Sequence, residues 1–134
     1  MSAFSDYLES GLGDLLLRGQ TYTSGAVYFA LYTSDPTDAD SGVEVSDSAY
    51  VRPQAHLSVV SDGFTNAGGG VFTNAQAVAF PAIADTQIVV THWALFDAAT
   101  VGNMLFHGSL TASKTLDPAD VLNLPVASVS ITLA

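Results

Sequence analysis

The chain of 134 residues contains no cysteine. This absence excludes a disulfide scaffold, a zinc site made of thiolates and a cysteine nucleophile. A chain of this length can bury roughly two thirds of its unfolded surface, so it needs no such cross-link. The length predicts one structural unit. Within it we expect an N-terminal helix over residues 1–19 and a β domain over residues 20–134.

Positive charge is also scarce. Three Lys and Arg stand against thirteen Asp and Glu, which gives a formal net charge of −10. Binding to phosphates requires clustered Lys and Arg, whereas Arg18, Arg52 and Lys114 are far apart in the sequence. We therefore expect no nucleic-acid partner, and anionic membrane surfaces are disfavoured for the same reason.

Long hydrophobic runs are missing as well. No stretch reaches the 18 or more apolar residues of a membrane-spanning helix, and the first ten residues lack the basic segment of a secretory signal. We therefore expect no membrane partner. Charged residues make up 12% of the chain, about half of the usual share. Such a surface loses little solvation when a partner covers it, so the composition suits an assembling protein as well as an ordinary β domain.

Residues 3–18 have the periodicity of an amphipathic helix. Asp6 and Glu9 near its start and Arg18 at its end suit the helix dipole, and Gly19 is placed to end it. The apolar stripe consists of Phe4, Tyr7, Leu8, Leu12, Leu15 and Leu16. It could pack on its own domain, which we favour, or reach a neighbouring subunit. In the second case Phe4, Leu8 and Leu12 are candidate contact residues.

From Gly25 onward the periodic segments resemble strands, about seven or eight in number. Residues 26–32 are almost continuously apolar, which predicts a strand buried on both faces. Residues 50–60 are a candidate strand that must be at an edge or bulged, because Pro53 cannot donate to a ladder. Residues 87–96 and 104–110 predict a hairpin. The expected fold is mainly β, an antiparallel sandwich resembling a jelly roll, preceded by one helix.

An acidic loop follows the first strong strand, and its carboxylates are candidates for interaction. Two of them lie two residues apart beside Gly42, as in a calcium loop, but Ala49 stands where an EF-hand requires Glu. We expect a solvated acidic turn, with bound calcium or a docking surface for basic residues as alternatives. The loop carboxylates are Asp35, Asp38, Asp40, Glu44 and Asp47.

Arg52 is a further candidate for interaction. It follows Tyr50 by two residues, so both side chains should lie on one face of an extended segment. In a chain with so few cations, we expect the guanidinium to pair with a carboxylate of the acidic loop or to contact a neighbouring protein.

Catalytic motifs are absent from the sequence. The histidines lack the spacing of metal ligands, although two of them could meet a carboxylate such as Asp97. No Gly-x-Ser-x-Gly elbow occurs, and the glycines at 68–70 lack the Lys of a phosphate loop. We therefore expect no enzyme, no cofactor and no metal. The aromatic residues could form a sugar-binding platform, but core positions are the default for Tyr22, Tyr28, Tyr32, Tyr50 and Trp93.

Two segments carry a resemblance to a known family. Residues 26–54 combine an apolar strand, an Asp-Pro turn and an acidic loop, and residues 91–116 read THWALFDAATVGNMLFHGSLTASKTL. With the closing Ser-Ile-Thr-Leu, they resemble small virion proteins of tailed bacteriophages, which are described as tail-fibre-like or capsid decoration proteins. The resemblance implies a structural component of the virion that is assembled in the host cytoplasm.

Within the virion, we expect a capsid decoration protein that binds the major capsid protein and stabilises its lattice as a homotrimer. A compact domain with one helix has no room for a long fibre shaft, and this favours the head. The alternatives are an adaptor of the tail fibre, neck or baseplate, and a carbohydrate-binding module on the virion surface.

Overall fold

A computed structural model describes residues 2–133. Most of its regular structure is strand, and the single α-helix lies near the N-terminus of the described region. This confirms the predicted mainly β fold with an N-terminal helix. The elements are β1 (Ser2–Phe4), α1 (Asp6–Arg18), β2 (Tyr28–Tyr32), a short 3-10 helix (Val60–Asp62), β3 (Phe64–Gly68), β4 (Val71–Asn74), β5 (Val78–Ala79), β6 (Ile88–Phe96), β7 (Met104–Leu116), β8 (Asn123–Leu124) and β9 (Ser130–Thr132).

The strands form three antiparallel sheets arranged like a sandwich. The large sheet has the order β1-β7-β6-β2, and two smaller sheets have the orders β3-β4-β9 and β5-β8. All pairings are antiparallel, and none of the sheets in the described region closes into a barrel. The predicted hairpin is present, since β6 and β7 pair from Ile88 and Leu116 to Phe96 and Met104.

The large sheet is buried on both faces along β2. Along β2, Phe29 and Leu31 enter the main core, which the two smaller sheets cover, while Ala30 and Tyr32 enter a second, smaller core. All four side chains are at most 2% exposed. The prediction that this strand is buried on both sides is confirmed, and the physical reason is the alternation of side chains along a strand.

The helix ends as predicted but begins later. Gly19 ends it with a left-handed φ of 64°, and the buried Ser5 caps its start by accepting from the N–H of Leu8 at 3.2 Å. The three described residues before Ser5 are not helical, because they pair with Phe106, His107 and Gly108 of β7. The expected helical start at residue 3 was therefore wrong. No helix among residues 2–133 has the length and hydrophobicity needed to cross a bilayer.

Residues 50–60 do not form the expected strand. The backbone at Pro53 and Ala55 bonds to β2, but further along both carboxylate oxygens of Asp62 accept backbone N–H groups, from Leu57, Ser58 and Val59. A side chain that captures backbone donors in this way competes with a ladder. Instead, the segment ends in the 3-10 helix.

The glycine-rich middle of the chain contains a hairpin that the pattern did not reveal. β3 and β4 pair from Phe64 and Asn74 to Gly68 and Val71. Gly68, Gly69 and Gly70 all have positive φ and form the turn. A Cβ atom at residue 70 would also clash with the carbonyl oxygen of Leu133. This position therefore requires glycine both for its positive φ and for the close approach of Leu133.

Candidate functional site

The acidic loop leaves β2 and returns beside it. Thr33 donates its N–H to the carbonyl oxygen of Val43 at 2.9 Å, and Val45 donates to that of Leu31 at 2.8 Å. Gly42 allows the turn, because a Cβ there would lie 2.6 Å from the carbonyl oxygen of Asp35. The loop is therefore packed on the sheet and does not extend into solvent.

Each carboxylate in the first half of the loop has its own partner. Asp40 accepts from the hydroxyl of the buried Tyr32 at 2.6 Å, and Asp38 lies 2.9 Å from Nε2 of His107. Asp35 accepts the N–H of Thr37 at 3.0 Å, and its nearest cation-forming group, Nε2 of His92, is 4.0 Å away. Burial first, and then the bond to Asp40, raises the pKa of the Tyr32 phenol. This hydroxyl therefore stays protonated and holds the loop down.

These carboxylates do not converge on a common point. In the part of the chain that the structure describes, no three His, Asp or Glu side chains come together as metal ligands would. The geometry thus offers no support for the calcium alternative, and the loop oxygens instead stabilise the loop itself.

Arg52 and Glu44 form the most completely bonded ion pair. Nε and Nη2 of Arg52 donate to the two carboxylate oxygens of Glu44 at 2.8 and 2.7 Å, and Nη1 donates to the carbonyl oxygens of Ala98 and Val101. The guanidinium also lies 3.6 Å from the ring centroid of Phe96. The expected pairing of Arg52 with a carboxylate of the acidic loop is present, and it joins that loop to the β6–β7 turn.

Tyr50 extends this network to the large sheet. Its hydroxyl donates to Glu44 at 2.8 Å and accepts the backbone N–H of Leu31 at 3.0 Å. Burial, followed by the negative charge of Glu44, raises the pKa of the phenol. Glu44 therefore accepts from two side chains and serves as the centre of a rigid, charge-assisted cluster.

Asp47, at the end of the loop, forms a reciprocal clasp with the segment before β6. Its carboxylate accepts backbone N–H groups of Ala84 and Asp85, while Asp85 accepts the N–H and the hydroxyl of Ser48. The bond from the Asp85 N–H, followed by the other backbone bonds, holds the pKa of Asp47 below its usual value. These two acids are structural, and sequence reasoning did not pair them.

The apolar contact candidates on the N-terminal segment separate into covered and uncovered residues. Phe4 packs edge to face on Phe106 with centroids 5.1 Å apart, and Leu8 is buried. Leu12 is half-buried, whereas Leu16 and Leu17 are 77% and 87% exposed. The apolar stripe therefore packs against its own domain over its first half only. The exposed end was not singled out from the sequence, because periodicity does not show where a helix leaves its support.

Two histidines lie together in a shallow pocket. His92 and His107 line a pocket of about 180 Å³ with Asp35 and Ser109. Nδ1 of His92 lies 2.8 Å from the hydroxyl of its chain neighbour Thr91, and Nε2 of His107 lies 2.9 Å from Asp38. Asp97, considered as their partner, instead accepts from the backbone and the side chain of Asn103 in the β6–β7 turn.

Two of the five aromatic side chains that could have bound sugar are buried, and Tyr22, Tyr28 and Tyr50 are partly exposed. Trp93 and Tyr32 are 5% and 2% exposed and contribute to the two cores. A separate cavity of about 230 Å³ between the sheets is lined only by apolar residues, among them Phe64, Phe72 and Phe106. It offers neither a charged group nor a hydrogen-bonding side chain for recognition.

Asn74 is a structural residue that no pattern in the sequence indicates. Its side chain is buried in the layer of the smaller sheets and donates to the carbonyl oxygens of Gln76 and Pro125, while its Oδ1 accepts the N–H of Val129. One amide thereby satisfies three backbone groups between β4 and β9. A polar residue at the end of a short apolar run is too common a pattern to predict this.

The fold and these contacts define a class of protein. It is a small β-sandwich in which the side chains that could carry chemistry are mostly bonded to one another or to the backbone. Such a molecule offers shape and surface, as a structural component does.

The comparison with protein families is specific. The family model described as "Podophage GP4 fiber I protein gp80" matches residues 3–132, nearly the whole chain. The chain belongs to this family of phage fibre proteins and is therefore a virion structural protein, which confirms the resemblance seen in the sequence. No curated protein matches the chain.

Proposed function

We propose that this chain is a non-catalytic subunit of the fibre apparatus of a phage tail, where it serves as a compact connecting or attachment domain. The family match carries the proposal, since the family is described as a fibre protein. The description favours the tail over the capsid decoration role expected from the sequence.

The architecture suits a connector better than a shaft. The longest strand, β7, has 13 residues, and the chain folds back on itself in three small sheets. A load between neighbouring subunits would pass through the large sheet, whose strand β2 is buried on both faces and which is tied to its loop by the Arg52–Glu44 pair.

Among the candidate contact residues, we propose that Asp35 and Asp38 face a basic segment of a neighbouring virion protein. Their side chains are 62% and 54% exposed, whereas Arg52, Phe4 and Leu8 are occupied within the chain. Replacing both acids by Asn should weaken incorporation into virions. The matched control is Glu9→Gln with Asp14→Asn on α1, which removes the same charge from another surface and should leave incorporation unchanged.

The number and position of copies in the virion test the tail assignment. Quantitative gel densitometry of purified virions, combined with immunogold labelling, should give a handful of copies located at the tail. Hundreds of copies spread over the head would contradict this and restore the decoration role with the major capsid protein as partner. The trimer expected for that role is tested by the mass of the purified protein in solution.

A further inference from the structure

The charged residues of this chain are distributed very unevenly over the fold. Segments 63–84 and 121–134 contain no Asp, Glu, Lys, Arg or His, although the chain carries a net charge of −10. These segments supply every strand of the two smaller sheets, namely β3, β4, β5, β8 and β9. The whole layer that covers the main core is thus free of ionisable side chains, and we call residues 63–84 and 121–133 the uncharged layer.

The acids that border this layer are turned toward their own chain. Asp62 accepts N–H groups of Leu57, Ser58 and Val59, and Asp85 accepts from Ser48. Asp120 accepts the N–H of Asp117. A second molecule placed on the layer would therefore meet hydroxyls, methyl groups and backbone rather than free carboxylates.

One edge of the uncharged layer is also unprotected. β3 pairs with β4 on one side and with no other described strand, and four of its five residues are exposed. Gly63 accepts the N–H of Ala75 at 2.9 Å, so the alternating pattern directs the backbone groups of Phe64 and Asn66 away from β4. These outward N–H and C=O groups are free to pair with another strand.

The other long edges of the molecule are guarded. β7 extends beyond its pairing with β1 and carries Lys114, the only lysine, on that stretch. The outer side of β2 is covered by bridges to Gln54 and Glu44. Monomeric proteins protect open edges with Lys, Pro, a β-bulge or a covering segment. The sequence of β3, FTNAG, contains neither Lys nor Pro, and its bulge lies between Asn66 and Gly68, so the edge from Phe64 to Asn66 stays in regular register.

We propose that two copies of this chain join through β3, edge to edge and antiparallel, so that the β3-β4-β9 sheet continues across the contact. The occupant is a second copy because two bodies of net charge −10 repel each other wherever their acids meet, and the uncharged layer is where they can approach without that cost.

This inference rests on the proposed role as an assembling subunit and adds the surface and its symmetry to it. A contact of a strand with its own copy is two-fold, so it predicts an even number of copies. It thereby differs from the trimer that the sequence suggested.

Sedimentation velocity of the purified chain over a range of concentrations tests the proposal. The wild type should form a two-copy species, and Ala67→Lys in β3 should weaken it by about tenfold or more by guarding the edge. The control Ala112→Lys makes the same exchange at an exposed position of the guarded β7 and should leave association unchanged. Both variants make the net charge less negative by one, so a loss confined to Ala67→Lys cannot come from overall repulsion.

A second variant and a salt series complete the test. Asn66→Pro removes one outward N–H without touching the bonds to β4, and it should also weaken association, with circular dichroism confirming a folded domain. Raising the salt concentration should strengthen the wild-type contact by screening the repulsion. A monomer at all concentrations, a trimer, or association that weakens with salt or ignores Ala67→Lys would overturn the proposal. Virion incorporation, measured separately, would then still test the proposed role.

Discussion

The two faces of the large sheet are covered in opposite ways. On one face the acidic loop is held by individual side-chain bonds, such as Tyr32 to Asp40 and His107 to Asp38. On the other, the uncharged layer is held by backbone ladders and by apolar burial, with Phe72 facing Ile131 across β4 and β9. One fold therefore contains a covering held by charged side chains and a covering held by backbone bonds and apolar contacts.

The difference shows how a chain with few charged residues distributes them over its fold. Arg52 is placed where it fixes a loop, and the layer left uncharged is the one where like copies can meet. The charged side should respond to the loss of one partner and to acid. The uncharged side should respond to the introduction of a charge.

The largest effect is expected from a charge placed inside the uncharged layer. Asn74→Asp keeps the acceptor for Val129 but sets a carboxylate against the carbonyl oxygens of Gln76 and Pro125. At neutral pH, urea unfolding should show a loss of about 3–5 kcal/mol, which is typical of an uncompensated buried charge. Asn123→Asp, at an exposed position of the same layer, should cost less than about 0.5 kcal/mol.

Acid should partly rescue Asn74→Asp. Burial and the two carbonyl oxygens raise the pKa of the new carboxyl in the folded state above its unfolded value of about 3.9. Its destabilisation is therefore smallest below that unfolded pKa and grows as pH rises through the folded pKa. An equal loss at all pH values would mean that the layer tolerates the charge and that volume or hydrogen bonding causes the effect.

On the charged side, Arg52→Met should be the most damaging removal of a partner. It leaves Glu44 with only Tyr50 and strands the carbonyl oxygens of Ala98 and Val101. Because the Glu44 side chain is 27% exposed, we expect the low end of the range for a broken buried pair, about 3 kcal/mol by urea unfolding.

The matched control for this change is Arg18→Met. The Arg18–Asp14 pair on α1 has a similar distance, 2.9 Å, but its side chains are 69% and 43% exposed. Its loss should cost less than about 0.5 kcal/mol. Similar costs for the two variants would show that the Arg52 network does not hold the loop.

The sequence predicted those parts of the molecule that follow from local pattern. Apolar continuity predicted the doubly buried β2, and Gly19 predicted the end of α1. The predicted strand over residues 50–60 was wrong because the sequence pattern does not show that Asp62 binds three backbone N–H groups that a ladder would need. The hairpin of β3 and β4 was not predicted because Asn and Gly, which are depleted in strands, interrupt both segments, and these strands gain stability from β9 and the core beneath.

The sequence predicted which residues belong to the candidate site but not how they are arranged. That Arg52 would pair with an acidic-loop residue follows from the scarcity of cations, but the choice of Glu44 depends on the bridge that places it opposite Tyr32. The clasp of Asp47 with Asp85 joins residues far apart in the chain. Only the fold brings them together.

Acid should destabilise the fold through two carboxylates that lie outside the uncharged layer and accept backbone N–H groups. The N–H of Asp85 chiefly lowers the pKa of Asp47, and that of Leu57 chiefly lowers the pKa of Asp62. Their stabilising effect is present above the unfolded pKa of about 3.9 and is lost as pH falls through the lower folded values. The free energy of unfolding should therefore decrease on acidification, and the decrease should be smaller in Asp47→Asn and in Asp62→Asn.

The control for this titration is Thr73→Ala, which lies in the uncharged layer and removes no titrating group. Its free energy of unfolding should follow pH with the wild-type slope, whatever its value at neutral pH. A slope that changes in Thr73→Ala, or one that is unchanged in both Asn variants, would remove these two carboxylates as the source of the acid response.

The smallest effect is expected at the exposed end of α1, where the charged side has no core beneath it. Leu16→Ala should change the free energy of unfolding by less than about 0.5 kcal/mol, because this side chain is 77% exposed. Leu8→Ala on the same helix removes a buried side chain and should cost about 2–5 kcal/mol. Thermal and urea unfolding of both variants measure the contrast. A large destabilisation by Leu16→Ala in the isolated domain would mean that the second half of the helix packs against its own domain. The apolar residues at its end would then not be available to contact a neighbouring subunit.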